Sequence, residues 1–433
     1  MSLAWPVMIS NSLDMLGPTI DMIWVGKLGA DALAAVSLSA MVIMVVNALM
    51  MGLFTSLRAM VARNIGSGNI KEANHAFQQA FFIGILFSIL MAGIGIFLSR
   101  EILNLFGADA DVLYLAIGYN RIQFVGMVTM TLRMISEITM QSSGDTMTAM
   151  RIGVLFRCLH MAICPFFVFG LWVFPKLGVN GAATMDIIAQ GIGGTIGMYL
   201  LFTGHSRLRV SLSGFRVDLN NIWRQLKIGI PASINSMLRS FVGVFMLKFV
   251  TPFGTDAIAA HGLSQRVENL MDIGASGLGN AAGVLAGQNL GAKKPERAEK
   301  TGWLACGISL IIMAVAIFIL MLWPDKVVHL FNNDPALVKI GSNYLRIAAV
   351  GLLVMGPAAV FTNVLNGVGD TTIPLIASFV TMWVFQLPLA YYLPKVGNIG
   401  VYGIRWAMAI ALALRAITYI IYYRTGRWKR KRI

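Results

Sequence analysis

Apolar runs of bilayer-spanning length recur along the whole chain, and that recurrence limits the fold more than any other feature. A hydrocarbon core of roughly 30 Å needs about 20 apolar residues per helix. Runs of that size lie near 3–25, 33–57, 77–98, 113–141, 152–174, 179–203, 228–250, 256–282, 301–323, 342–365, 373–393 and 399–423. Lipid offers no hydrogen-bond partners to a backbone, so runs this long must span as helices. Of the 433 residues 57% are hydrophobic and 12% charged, and the mean hydropathy is +0.74. That leaves too little polar surface to coat a soluble domain. The expected class is an all-α polytopic membrane protein of twelve transmembrane helices. The first run has no basic leader and no small-residue cleavage site, so it reads as a span rather than a removed signal.

A formal charge of +15 in a soluble chain would point to nucleic acid. Here the cations fill short gaps between spans instead: Arg58, Arg63 and Lys71; Arg207, Arg209, Arg216, Arg224 and Lys227; Lys293, Lys294, Arg297 and Lys300; and the tail from Arg424 to Arg432. The positive-inside rule places those loops and both termini in the cytoplasm, in a multi-pass protein of the cell membrane. The partners expected are membrane lipids and small molecules, with no nucleic acid. The three cysteines, Cys158, Cys164 and Cys306, stand in apolar runs without CxxC or Cys/His spacing. Neither a disulfide framework nor a metal site is expected.

Self-comparison divides the chain in two. VGKLGADALAAVSLSAMV from Val25 matches VTPFGTDAIAAHGLSQRV from Val250, and ARNIGSG from Ala62 matches GQNLGAK from Gly287. LFGADADVLYLAIGYNRI from Leu105 matches LFNNDPALVKIGSNYLRI from Leu330, and the GDT at Gly144 matches the GDT at Gly369. All four pairs are 225 positions apart. The expected organisation is a six-helix lobe over 1–205, a cytoplasmic linker over 206–227, a second six-helix lobe over 228–423 and a basic tail over 424–433. An even number of spans per copy makes the repeats parallel, with a central cleft on their axis. Two such lobes in a single monomer make a transporter, and no filter-like ring indicates a channel.

Pro6, TIDMIWVGKLGADALAAVSL, ARNIGSG, GQNLGAKK, NYLRI and the GDT after the fourth and tenth spans resemble the multidrug and toxic compound extrusion (MATE) family over essentially the full chain. The resemblance implies a twelve-helix exporter that exchanges H⁺ or Na⁺ for amphipathic, often cationic, compounds. It implies that Asp21 is a coupling-ion group and that the first span bends near Pro6. Where many relatives carry an Asn and an Asp on the fifth span, this chain has His160 and Cys164. Asp186 stands on the sixth span where a small residue is usual, and Arg239 is the nearest match to a Glu of the seventh. These departures put the family's Na⁺ site in doubt.

Ionisable residues inside a bilayer cost roughly 2.5–3.5 kcal/mol on insertion scales and so mark function. Asp14 lies seven residues before Asp21 on the same helical face. If the first, fifth and sixth spans converge, Asp21, Asp186 and His160 form a His/Asp group suited to proton relay. Na⁺ wants several oxygen ligands, and imidazole offers a nitrogen. Arg133 and Glu137, spaced i,i+4, read as a structural pair. The eighth span carries Gln265, Arg266, Glu268, Asn269 and Asp272. Glu268 and Asp272 share a face and are expected to pair with Arg239, next to the cargo. Met130 and Met355 offer an adaptable lining.

These residues specify a secondary antiporter, coupled to H⁺ rather than Na⁺, that exports amphipathic or cationic compounds by alternating access. The alternative is a flippase for lipid-linked saccharides, which would need a basic cleft. No nucleophile–base pair or metal-ligand cluster indicates an enzyme, and no cofactor beyond the coupling ion is expected.

Overall fold

The computed structural model describes residues 3–105, 110–331, 334–396, 399–431 and 433, without the side chains of 15, 16, 18 and 336. The described residues form helices α1 (Ala4–Gly26), α2 (Ala30–Gly66), α3 (Ile70–Leu105), α4 (Ala110–Val125), α5 (Met127–Ser143), α6 (Thr146–Phe169), α7 (Val179–Thr203) and α8 (Leu219–Val250). They continue as α9 (Thr255–Gly291), α10 (Pro295–Leu322), the short α11 (Pro324–His329), α12 (Pro335–Gly367), α13 (Thr372–Ser378), a π-helical stretch (Phe379–Gln386), α14 (Leu387–Tyr392) and α15 (Tyr402–Arg424). Among the described residues nine helical segments are long and apolar enough to cross a membrane. The other three expected spans are present as helices: α1; α4 and α5, which are separated at Gly126; and α9, whose polar middle lowers its hydropathy.

Helix bounds repeat the sequence offset. α2 runs 30–66 and α9 runs 255–291, each bound 225 positions from its counterpart. Both GDT aspartates serve one purpose, tying the chain that follows the last helix of their unit. Asp145 caps α6 by accepting from the Thr148 amide and accepts from Ser206 Oγ at 2.9 Å, while Asp370 meets Lys431 Nζ at 3.3 Å. Parts of the third repeated segment, 106–109 and 332–333, lie outside the described residues.

The chain divides into two compact units, Met1–Ile230 and Pro231–Ile433. The stretch expected as a linker belongs to the first. Its backbone is held by α3, where Gln78 and Gln79 donate to the carbonyls of Ser211 and Arg216 at 2.6 and 2.7 Å. Asp218 starts α8 by accepting from the amides of Asn220 and Asn221. The unit boundary falls at Pro231 inside α8, where the ring removes a helical donor. In the second unit the basic tail folds back, burying Trp428 completely against the Tyr423 ring, 4.6 Å between centroids.

Small residues permit the closest helix approaches, as expected in lipid, where hydrophobicity does not drive helix association. A Cβ on Gly283 of α9 would lie 2.5 Å from the Asn363 carbonyl oxygen of α12, and one on Gly194 of α7 would lie 2.9 Å from the Arg133 amide of α5.

Candidate functional site

The first unit gathers its intramembrane charges into one cluster. Asp14, Gly17 and Asp21 occupy one face of α1, and Arg157, His160 and Cys164 occupy one face of α6 at the same i, i+3, i+7 spacing. Asp14 faces Arg157, and Asp21 faces His160 and Cys164. Residue numbers rise together along both helices, so α1 and α6 run parallel and each charge meets a partner. Arg157 Nη2 lies 3.7 Å from Asp14 Oδ1, and Arg157 Nη1 lies 3.9 Å from Asp186 Oδ1 on α7. His160 Nε2 lies 3.0 Å from Asp21 Oδ1, and both residues are buried. Gly17 leaves room for the Arg157 guanidinium, since a Cβ there would overlap its Nη1 and lie 2.7 Å from its carbon.

Arg133 and Glu137 do pair, at 2.7 Å, but not in isolation. Arg133 also donates to Asp14 at 3.2 Å, and Gln141 donates to the other Glu137 oxygen at 3.0 Å. Phe156 is sandwiched between the two guanidinium groups, 4.4 Å from Arg133 and 4.7 Å from Arg157. Such stacking suits arginine, which is less strongly hydrated than lysine. Gln190 anchors Asp186 at 2.8 Å. Arg58 stands within electrostatic reach of Glu137. Four carboxylates, Asp14, Asp21, Glu137 and Asp186, therefore face three guanidinium groups, leaving one negative charge unbalanced.

Hydrogen-bond chemistry fixes the histidine. Arg157 Nη1 lies 3.3 Å from His160 Nδ1, and a guanidinium only donates, so Nδ1 must accept. The ring proton is then on Nε2, the nitrogen nearer Asp21.

The fold also joins what sequence spacing kept apart. Asp21, His160 and Cys164 present ligand atoms within 4.8 Å of one another; from sequence Asp21 groups with His160 and Asp186, and Cys164 stands beside His160 only as a counterpart of the family's fifth-span pair. The trio does not suit a metal. A ligating imidazole needs a bare nitrogen toward the ion and an acceptor behind the other, whereas Arg157 places a donor behind His160 and commits Nε2 to carrying the proton.

Pro6 is buried in the first turn of α1, where no intrahelical N–H bond is lost. Met130 stands half-buried on α5, apart from these charges.

The second unit holds a cavity of about 210 Å³ bounded by α8, α9, α12, the π-helical stretch and α15. Arg239, Glu268, Asp272 and Met355 line it, and Gln265 does not. Glu268 does not pair with Arg239 as expected. It binds Arg405 at 2.9 Å, and Arg405 spends its other arm on the His261 carbonyl at 3.1 Å. Arg405, Arg415 and Arg157 were not anticipated as site residues, although any arginine within a span is a signal of function.

A family model described as MatE matches residues 6–166 and 231–392, once in each unit. The chain belongs to the MatE family. The second match starts 225 positions after the first, so the family's own repeat is the one found by self-comparison. The chain is 25% identical to the probable multidrug resistance protein YoeA of Bacillus subtilis, covering 99% of this chain and 93% of that one. It is 24% identical to the probable multidrug resistance protein NorM of Thermotoga maritima, over 100% and 93%. A solved MATE structure in the bent conformation superposes with a TM-score of 0.92 at 23% identity, covering 98% and 94% of the two chains. That likeness carries the fold. The protein is a membrane transporter of this family, not an enzyme.

Proposed function

We propose that this MatE protein is a proton-coupled exporter of amphipathic small molecules, with Asp21 and His160 as the coupling pair. The observation that carries the reading is His160 Nε2 lying 3.0 Å from Asp21 Oδ1, in a tautomer imposed by Arg157. One proton cancels the single unbalanced negative charge of the cluster. Na⁺ would meet one carboxylate surrounded by imidazole and thiol, too few oxygens for a hard cation. Protonated Asp21 no longer holds α6 through a charge, and α1 is then free to bend near Pro6, where bending breaks no helical hydrogen bond. Alternating access follows from that release. The basic loops place both termini in the cytoplasm of a cell-membrane protein. The names of the relatives favour small-molecule export over lipid-linked saccharide flipping.

Substrate/H⁺ exchange in proteoliposomes, with pH and Na⁺ gradients imposed separately, tests this. Wild-type protein responds to the pH gradient alone, and Asp21→Asn elutes as a folded protein without exchange. A Na⁺-driven wild type, or normal exchange by Asp21→Asn, refutes it.

A further inference from the structure

We propose that the cavity of the second unit binds the acidic group of an amphipathic organic anion, through Arg239 and Arg415. Three guanidinium groups and two carboxylates line it, the reverse of the balance in the first unit. Arg405 is spent, being buried and committed to Glu268, the His261 carbonyl and the Tyr344 face. Glu268 is thereby removed as a receptor for cations. Asp272 accepts from Ser276 Oγ at 3.1 Å and lies within electrostatic reach of Arg415, which in turn feels Arg239. Arg239 is exposed and forms no ion pair among the described residues. One positive charge is left over, carried by two side chains that line the same cavity. Paired guanidinium forks match carboxylate and phosphate geometry.

The repeat sharpens the reversal. Arg239 occupies the position equivalent to Asp14, and Met382 the position equivalent to Arg157. Met355, Met382 and Met408 line the rest, and thioethers adapt to apolar bodies of varied shape. Met382 stands in the π-helical stretch, a distortion frequent at binding sites.

The role of cargo rests on the exporter reading; the binding does not, since it is measured without any gradient. The full-length protein in detergent is titrated into fluorescein, an amphipathic dianion, and into ethidium, an amphipathic cation, with anisotropy as the readout. Fluorescein is expected to bind, more weakly as salt rises. Arg239→Gln and Arg415→Gln should each weaken it tenfold or more, while Arg239→Lys, which keeps the charge and loses the fork, should weaken it less than Arg239→Gln. Dioctanoyl phosphatidic acid either displaces fluorescein, extending the class to lipid acids, or fails to, confining it to soluble ones; both uphold an anion site. The proposal falls if fluorescein does not bind, if both Gln variants, eluting as folded protein, bind it normally, or if ethidium binds instead and is lost in Glu268→Gln. Should a Gln variant not fold, competition between the two dyes on wild type decides by the same criterion.

Discussion

Replacing Gly17 with alanine separates the chemistry of the coupling cluster from its stability. The new methyl would lie 2.7 Å from Arg157 Cζ and 2.9 Å from Nη2. Carbon contacts settle at about 3.5–4.0 Å, so the guanidinium retreats by about 1 Å. Its contacts start long, at 3.3 Å to His160 Nδ1, 3.7 Å to Asp14 and 3.9 Å to Asp186, and Nη1, which meets His160, is the atom the methyl would overlap most. His160 then loses the donor that fixes its tautomer. A misplacement of about 1 Å costs on the order of 10²-fold in a positioned proton transfer, or roughly 2.7 kcal/mol. Stability moves little. The clash falls on the flexible end of a side chain, and alanine favours a helix over glycine by about 1 kcal/mol. The assay is proton-driven exchange in proteoliposomes alongside thermal unfolding in detergent. Gly17→Ala should lose ten- to a hundredfold in rate with an unfolding temperature near wild type, and should add nothing to Arg157→Gln. Wild-type exchange by Gly17→Ala, or a full additional loss in the double variant, refutes the placement of Arg157 behind His160.

Arg405→Gln leaves Glu268 and the His261 carbonyl unpartnered. The cost is expected at about 2–3 kcal/mol, below the roughly 3–5 for a fully buried pair because Glu268 is 22% exposed. Thermal unfolding reads it, and Arg405→Met with Glu268→Leu should recover most of the loss. At the connector, hydrogen bonds from His75 and from the Asn221 amide hold the Asp218 carboxyl below its ordinary value of 3.8. A depressed value in the folded state means that Asp218 stabilises docking above the ordinary value. That contribution is lost as pH falls through the depressed one. Proteolysis of 206–227 should therefore rise only in acid for the wild type, and at neutral pH for Asp218→Asn.

The spans and the duplication were legible because they are written in composition and at a constant offset. Helix bounds 225 positions apart in α2 and α9 follow directly from that. Partners were less legible. Asp21 is grouped with His160 only through the family resemblance, and nothing local distinguishes Arg157 from an arginine at a helix end until α1 brings Gly17 against it. Glu268 matched Arg239 by proximity in sequence, yet the buried position of Arg405 on α15 wins, because a charge with no water nearby takes the partner that completes its other hydrogen bonds. The π-helical stretch carried no compositional mark at all.

The two units keep opposite leftover charges, and this has an electrical consequence. On the proposed readings, the extra carboxylate in the first unit accepts one proton, and the extra guanidinium in the second accepts one negative charge from cargo. If a proton moves inward while a monovalent organic anion moves outward, two positive charges cross inward per cycle. Each charge is worth about 2.3 kcal/mol per 100 mV, so an inside-negative potential of that size contributes about 4.6 kcal/mol to each turnover. Exchange of one proton for a monovalent cation would move no net charge and ignore the potential. Potassium gradients with valinomycin, imposed on proteoliposomes at a fixed pH gradient, distinguish the two. Fluorescein, a dianion whose export would move a third charge, should leave faster as the cytoplasmic side is made negative and more slowly when the potential is reversed. A rate indifferent to potential would mean that the leftover guanidinium of the second unit does not travel with an anionic cargo.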